Sequence, residues 1–303
     1  MSTEVPEQRS TTQELVRVVH PHGQADGSVE GYRARRTLPL RVELGRQLGR
    51  RRTRATLGFL AALPLLLLIA FEIGHGSAGR SHELVDVATA SGLNFTAFTV
   101  LASTDFLFVV MVALFFGDVV ASEASWSTLK YLLAAPVPRA RLLRQKAAVS
   151  AVLCVLGLLL VTAVALAAGV FWYGGGELLG PSGEALPFGT GVARLAGANA
   201  YLALHLSWIA GLALLLSVTV DTPLGAVGAA VVVSILSQIL DRITALGAWR
   251  DYLPTHYSTA WQDLLVGHVD WTALANGAFS GVAYGAVFAV LAVRRFVTKD
   301  ILS

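Results

Sequence analysis

The sequence predicts an all-α integral membrane protein. It reads as six transmembrane helices preceded by an amphipathic interfacial helix, with a re-entrant helical hairpin before the last span. Three observations predict this. Of the 303 residues, 54% are hydrophobic and only 14% charged, against about 25% charged in an average soluble domain. Apolar runs of membrane-crossing length, about 20 residues each, fall at 55–73, 95–119, 147–173, 195–218, 224–240 and 272–293. The 23 Lys and Arg residues are also unevenly spread between the segments that alternate sides.

That spread sets the orientation. With the amino terminus in the cytoplasm, nineteen basic residues lie inside, and only Arg80, Arg194, Arg242 and Arg250 lie outside. Positive charges near helix ends stay on the cytoplasmic face. Both termini and the connector 117–146 are therefore expected inside a multi-pass protein of the plasma membrane.

Residues 1–37 read as a disordered cytoplasmic tail, polar and without an apolar core that would mark a cleavable signal. In 38–54, Leu40, Leu44 and Leu48 recur at helical spacing while Arg41, Arg46, Arg50, Arg51, Arg52 and Arg54 surround them. This reads as a basic amphipathic helix in the headgroup layer; the same charges also serve as plain positive-inside flanks. The six-helix domain, 55–303, follows. Its segments 74–94 and 174–192 are rich in Gly, Ser and acidic residues and read as connectors. The fourth and fifth spans are joined by Asp221, Thr222 and Pro223, a turn with a helix-starting proline that makes the two helices antiparallel neighbours.

Segment 241–271 is too apolar for a solvated loop, with Ile243, Leu246, Trp249, Leu253, Trp261, Leu264 and Leu265. It suggests two short helices folded into the outer leaflet around Leu253 and Pro254, with Trp249, Trp261 and Trp271 at headgroup depth. On the last span Gly277, Gly281 and Gly285 share one face, which lets another helix approach closely. Cys154, in the third run, is the single cysteine and behaves as a small hydrophobe.

The most informative stretch is the polar, basic connector. If 122–135 is helical, Trp126, Leu129 and Leu133 form an apolar ridge beside a polar stripe of Glu123, Ser127 and Lys130. Pro136 and Pro138 end that helix, and Arg139 starts the next. Such a helix fits a groove in a partner, with Trp126 as anchor, or lies on lipid. Gly117, Glu123, Thr128, Leu129, Leu132, Leu133, Pro136, Pro138, Arg139, Leu142, Leu143 and Lys146 stand at the spacing found in permease subunits of type-2 ATP-binding cassette exporters. Ser127 replaces a small residue that is often glycine there. The resemblance runs more faintly over the chain from Leu38 to a closing Phe296, Lys299, Asp300 and Ile301.

That resemblance implies a coupling helix in 120–146, carried by Glu123, Trp126, Thr128, Leu129, Lys130, Leu133, Pro136 and Arg139. It also implies an interfacial elbow helix before the first span, a re-entrant pair before the last, and two permease copies around a central path. ATP and Mg would be held by a separate cytoplasmic ATPase subunit and no cofactor by this chain. The chain has no Gly-Lys dipeptide for a phosphate-cradling loop and no cassette signature.

Other chemistries fail on spacing. His82 and Glu83 lack a second histidine at the zinc-protease position, where Asp86 stands. Gly174, Gly175 and Gly176 follow a membrane span and not a strand, unlike a dinucleotide loop. Asn94, Phe95 and Thr96 match a glycosylation sequon but abut the membrane. Nothing points to nucleic acid.

Ionisable and polar residues within spans are costly, about 2.5 to 3.5 kcal/mol each for a charge on insertion scales. They are the substrate-path candidates: Asp105 in the second span, Asn199, His205 and Ser207 in the fourth, Ser234 and Gln238 in the fifth. Each also suits interhelical hydrogen bonding that only holds the bundle together. Glu72 and Asp118 lie near span ends, within reach of water. With that resemblance the sequence reads as the membrane subunit of an ATP-driven exporter; hydrophobic drugs, antibiotics, lipids and lipid-linked glycans all use the scaffold it resembles, and the residues do not choose among them. A secondary transporter, which would show broken helices at a midplane site and a related second half, and a membrane-embedded enzyme are the other readings.

Overall fold

The structure is a computed structural model and describes residues 40–74, 82–125, 138–180, 184–267 and 269–298. Helices α1 (Leu40–Gly49), α2 (Arg51–Gly74), α3 (His82–Thr89), α4 (Gly92–Thr104), α5 (Leu107–Ser125) and α6 (Arg139–Tyr173) come first. A two-stranded antiparallel hairpin, β1 (Leu178–Leu179) and β2 (Ala185–Leu186), follows with Leu178 opposite Leu186. Then come α7 (Phe188–His205), α8 (Ser207–Thr219) and α9 (Pro223–Asp241), two 3-10 helices (Thr244–Tyr252 and Ala260–Leu265), and α10 (Trp271–Thr298).

Five helices are long and apolar enough to cross a membrane: α2, α6, the 32-residue run of α7 and α8, α9 and α10. A sixth span arises if α4 and α5, bent by 55° at their junction, count as one. The sequence predicts one second span over 95–119, and side chains contribute to the bend in it. Thr96, Thr99, Ser103 and Thr104 each donate a hydroxyl to the carbonyl four residues back, at 2.7, 2.8, 2.7 and 2.8 Å, a pattern that bends helices.

Helix α5 is the axis of the core and packs on α6, α8 and α9. From Leu107 to Gly117 it is apolar on every side, so no face of that stretch suits water, and Phe108, Met111, Val112, Phe116 and Val119 are all buried. Ser217 on α8 accepts the backbone N–H groups of Val120 and Ala121 at 2.8 and 3.1 Å, and Ser150 on α6 donates to the Phe115 carbonyl at 2.8 Å. Helix α4 closes on α6 where Gly92 meets Gly169 and Val170; a Cβ at Gly92 would lie 2.5 Å from the Val170 nitrogen.

Helix α1 is turned differently from a simple apolar-down helix. Leu44 and Leu48 pack on the core, Leu40 and Val42 are exposed, and Glu43 is buried. Glu43 can be buried because Arg46 binds it through two nitrogens, at 2.9 and 2.7 Å, and Gln47 adds a third bond at 3.3 Å. Between α9 and α10 the chain forms the 3-10 helices Thr244–Tyr252, kinked at Gly247 (φ 52), and Ala260–Leu265, the second of which packs on α7. Trp249 and Trp271 are exposed, whereas Trp261 is fully buried in protein.

Candidate functional site

The polar residues inside the spans converge where α4 meets α5 and α7 meets α8. Asp105 occupies the bend, and its backbone carbonyl accepts a hydrogen bond from Gln238 Nε2 on α9 at 2.8 Å. The same Nε2 lies 3.4 Å from Ser234 Oγ one turn earlier. Asp105, Ser234 and Gln238 are thereby one cluster. Asp105 Oδ1 is buried and accepts no hydrogen bond, so this carboxylate keeps an open acceptor inside the bundle.

His205 ends α7, is 1% exposed, and lies within electrostatic reach of Asp105. Its ring stacks on Tyr201, with centroids 5.6 Å apart and planes 9° from parallel, and its Nδ1 is 3.3 Å from the Gly277 carbonyl. Tyr201 donates its hydroxyl to the Tyr257 carbonyl at 2.6 Å, tying the stacked pair to the segment between the two 3-10 helices.

The glycine stripe belongs to the same place. A Cβ at Gly277 would strike the Tyr201 hydroxyl, one at Gly281 would lie 2.5 Å from the His205 carbonyl oxygen, and one at Gly285 would lie 2.5 Å from the Ser207 carbonyl oxygen. Gly281 and Gly285 let α10 lie directly on the backbone of the α7 and α8 junction, and Gly277 leaves room for the Tyr201 ring.

Two candidates stand apart in role. Asn199 accepts from Thr162 on α6 at 3.0 Å and donates to the Leu195 carbonyl at 2.9 Å. Ser207 returns its hydroxyl to the Leu204 carbonyl at 2.6 Å. Both are engaged within the bundle.

Of the connector residues, Trp126, Thr128, Leu129, Lys130, Leu133 and Pro136 lie outside the described residues. Glu123 falls in the last turn of α5, and its side chain is also outside them. Arg139 opens α6 and donates to the Val297 carbonyl of α10 at 3.3 Å. Beside them Asp118 receives Arg52 at 2.7 Å and Arg50 at 3.4 Å, which pins the α1 and α2 junction to the last turns of α5. Lys146 reaches the Val119 carbonyl at 3.5 Å. Burial works to raise the Glu43 carboxyl, but the hydrogen bond and charge of Arg46, with Lys146 and Gln47, more than offset it. The net effect holds the group below the ordinary carboxylate value.

The family model described as ABC-2 family transporter protein matches residues 49–237. The chain belongs to that family. The match runs from the start of α2 through nearly all of α9, so it takes in the bent α4 and α5 pair, the connector and both sides of the Asp105 cluster. A permease subunit of an ABC transporter is thus the setting of Asp105, Tyr201, His205 and Ser234, and Gln238, Tyr257 and the glycine stripe follow beyond the matched residues. Comparison with curated proteins gives no match.

Several residues of the permease site were missed by sequence reasoning. Tyr201 stands four residues before His205, the spacing that stacks two rings on one helix face. Asn94 reads as a sequon, yet its side chain behaves as a strand edge: Nδ2 donates to the Leu179 carbonyl and Oδ1 accepts the Leu179 N–H, both at 2.9 Å. At the end of α9, Ser237 bonds Thr255 at 2.7 Å, and Asp241 holds His256 at 2.6 Å. The signal for that clasp, a carboxylate closing one helix and a histidine fifteen residues on, has no fixed spacing to search for.

Proposed function

We propose that this permease is the membrane-spanning half of an ATP-driven exporter in the plasma membrane, with both termini in the cytoplasm. Two copies enclose the path and two cytoplasmic ATPase subunits, which hold ATP and Mg, drive it. The observation that carries the proposal is the family match across the connector and the spans on either side of it. In this reading α1 is the interfacial elbow, segment 241–271 is the re-entrant hairpin of the outer leaflet, and 120–146 is the coupling segment. Its ridge of Trp126, Leu129 and Leu133 sits in a groove of the ATPase, and Glu123 pairs with a basic group at the rim.

The substrate passes the surface made by Asp105, His205, Ser234 and Gln238, with Asn199 and Ser207 shaping its edge. One open carboxylate acceptor in a small polar patch within apolar spans suits an amphipathic, mostly hydrophobic cargo such as a drug, an antibiotic, a lipid or a lipid-linked glycan. The test is purification from the native membrane, with expected recovery of an ATPase at equal stoichiometry. Interface anchors lose about 2 kcal/mol or more on truncation to alanine, so Trp126→Ala with Glu123→Ala should insert normally and lose the ATPase or the transport. Unchanged complex yield and unchanged export in the double variant would take the connector out of the mechanism.

A further inference from the structure

A groove between α2 and α6 opens on the outside of the bundle, away from the Asp105 cluster. Its walls are Leu65, Leu68 and Ile69 on α2 and Ala163, Ala167 and Phe171 on α6, and it offers about 790 Å³ of open space. That volume falls within the range of about 300–1,000 Å³ typical of small-molecule sites. On α2 the lining repeats at the spacing of one helix face and continues, one turn on, to Glu72. From Leu65 to Glu72 the helix advances about 10 Å at 1.5 Å per residue.

Glu72 caps the groove in a defined way. Its Oε1 accepts the indole N–H of Trp172 at 2.9 Å and the hydroxyl of Tyr173 at 3.4 Å. Glu72 is exposed, and two aromatic donors from α6 orient it at the groove's end. Among the described residues no Lys or Arg pairs with it, and Oε2 keeps its acceptor capacity.

We propose that this groove holds one membrane lipid, its acyl chain between α2 and α6 and a primary ammonium headgroup hydrogen-bonded to Glu72. Lipid tails are as apolar as the groove walls, so filling the groove discriminates nothing and selection rests on the headgroup. An ammonium with N–H donors satisfies the open carboxylate oxygen, and a quaternary ammonium, which has none, does not. A second permease copy is the poorer occupant. A two-fold contact sets a surface against itself, which would bring Glu72 toward its own copy with no cation between them. The proposal requires only that α2 and α6 cross a bilayer, so it stands or falls apart from the ATPase reading.

The test uses the full chain, purified in detergent and incubated with vesicles of equal phosphatidylethanolamine and phosphatidylcholine carrying identical acyl chains. It is then repurified, and bound lipid is quantified by mass spectrometry. Wild type should retain about one phosphatidylethanolamine per chain, with a preference of about tenfold over phosphatidylcholine, the worth of one charge-assisted hydrogen bond. Glu72→Gln, which keeps the shape, should reduce that preference to near unity. Ala167→Phe, which fills the groove, should lower retention of both lipids. Equal retention of the two headgroups by wild type, or an unchanged preference in Glu72→Gln, would overturn the proposal. So would efficient disulfide cross-linking between copies at Ala167→Cys, which would make the groove an interface between permeases.

Discussion

Substituting Gly281 by alanine places a methyl group 2.5 Å from the His205 carbonyl oxygen, 2.7 Å from His205 Cα and 2.8 Å from the Leu204 carbonyl oxygen. All three are backbone atoms of a packed helix end, so no side-chain rotation makes room. Opening the nearest contact from 2.5 Å to even 3.0 Å, the lower limit for real Cβ contacts, moves α10 off the α7 and α8 junction by about half an ångström. Overpacking of this kind costs about 1–3 kcal/mol. The gain in helix propensity from glycine to alanine, up to about 1 kcal/mol, offsets only part of it.

Gly228 on α9 supplies the control, because a Cβ there meets nothing within 4 Å. The same chemical change should be neutral or stabilising at Gly228 and destabilising at Gly281. At about 2–4 °C per kcal/mol, the two variants should differ in melting temperature by about 2–12 °C. Melting each variant in the same detergent by tryptophan fluorescence measures the difference. If Gly281→Ala melts with Gly228→Ala, the close packing of α10 on His205 is not what holds these helices together.

The other predictions concern charge and hydrogen bonding. Asp105→Asn and His205→Ala should change substrate-stimulated ATPase activity of the assembled complex without lowering its yield; wild-type transport by both would leave these residues with a packing role only. Ser217→Ala removes the shared acceptor of the Val120 and Ala121 N–H groups and should cost about 1–3 kcal/mol, read as a lower melting temperature; an unchanged melt would mean those N–H groups are satisfied within α5. Because Arg46 and its neighbours hold the Glu43 carboxyl below its ordinary value of 4.5, its contribution is fully present above that pH. It is lost as pH falls below it through the folded-state value. Glu43→Gln should therefore flatten the acid side of the melting profile, and parallel profiles for the two proteins would refute the assignment.

What the sequence made legible was set by periodicity and length. Each apolar run was long enough to appear, and the Asp221, Thr222 and Pro223 turn marked a boundary that holds at Pro223. The bend in the second span was written in Thr96, Thr99, Ser103 and Thr104, but each hydroxyl is unremarked alone, and their joint effect depends on all four back-bonding together. Glu43 was hidden for a related reason. A lone carboxylate in a basic helix reads as surface, and only the fold of α1 onto α6 makes it the buried partner of Arg46. The stripe of Gly277, Gly281 and Gly285 announced close packing; that its partner is the junction carrying His205 required the three-dimensional arrangement of α7, α8 and α10.

The bend at Asp105 and the junction at Leu206 bear directly on the rival reading as a secondary transporter, which calls for unwound helices whose free carbonyls bind an ion at mid-membrane. The Leu206 junction is not unwound: Leu206 N–H bonds the Leu202 carbonyl at 2.9 Å, and Ala210 N–H bonds the Leu206 carbonyl at 3.2 Å, so the helical ladder crosses it. At the other break, Val110 N–H already bonds the Phe106 carbonyl at 2.9 Å, which confines the interruption to a single turn. The carbonyl it frees at Asp105 is taken by Gln238, a neighbouring helix satisfying the backbone as a membrane interior demands. What remains open there is a side-chain oxygen of Asp105, not a ring of carbonyls. A single carboxylate acceptor beside a buried imidazole is not the set of freed backbone carbonyls that an ion-binding broken helix presents.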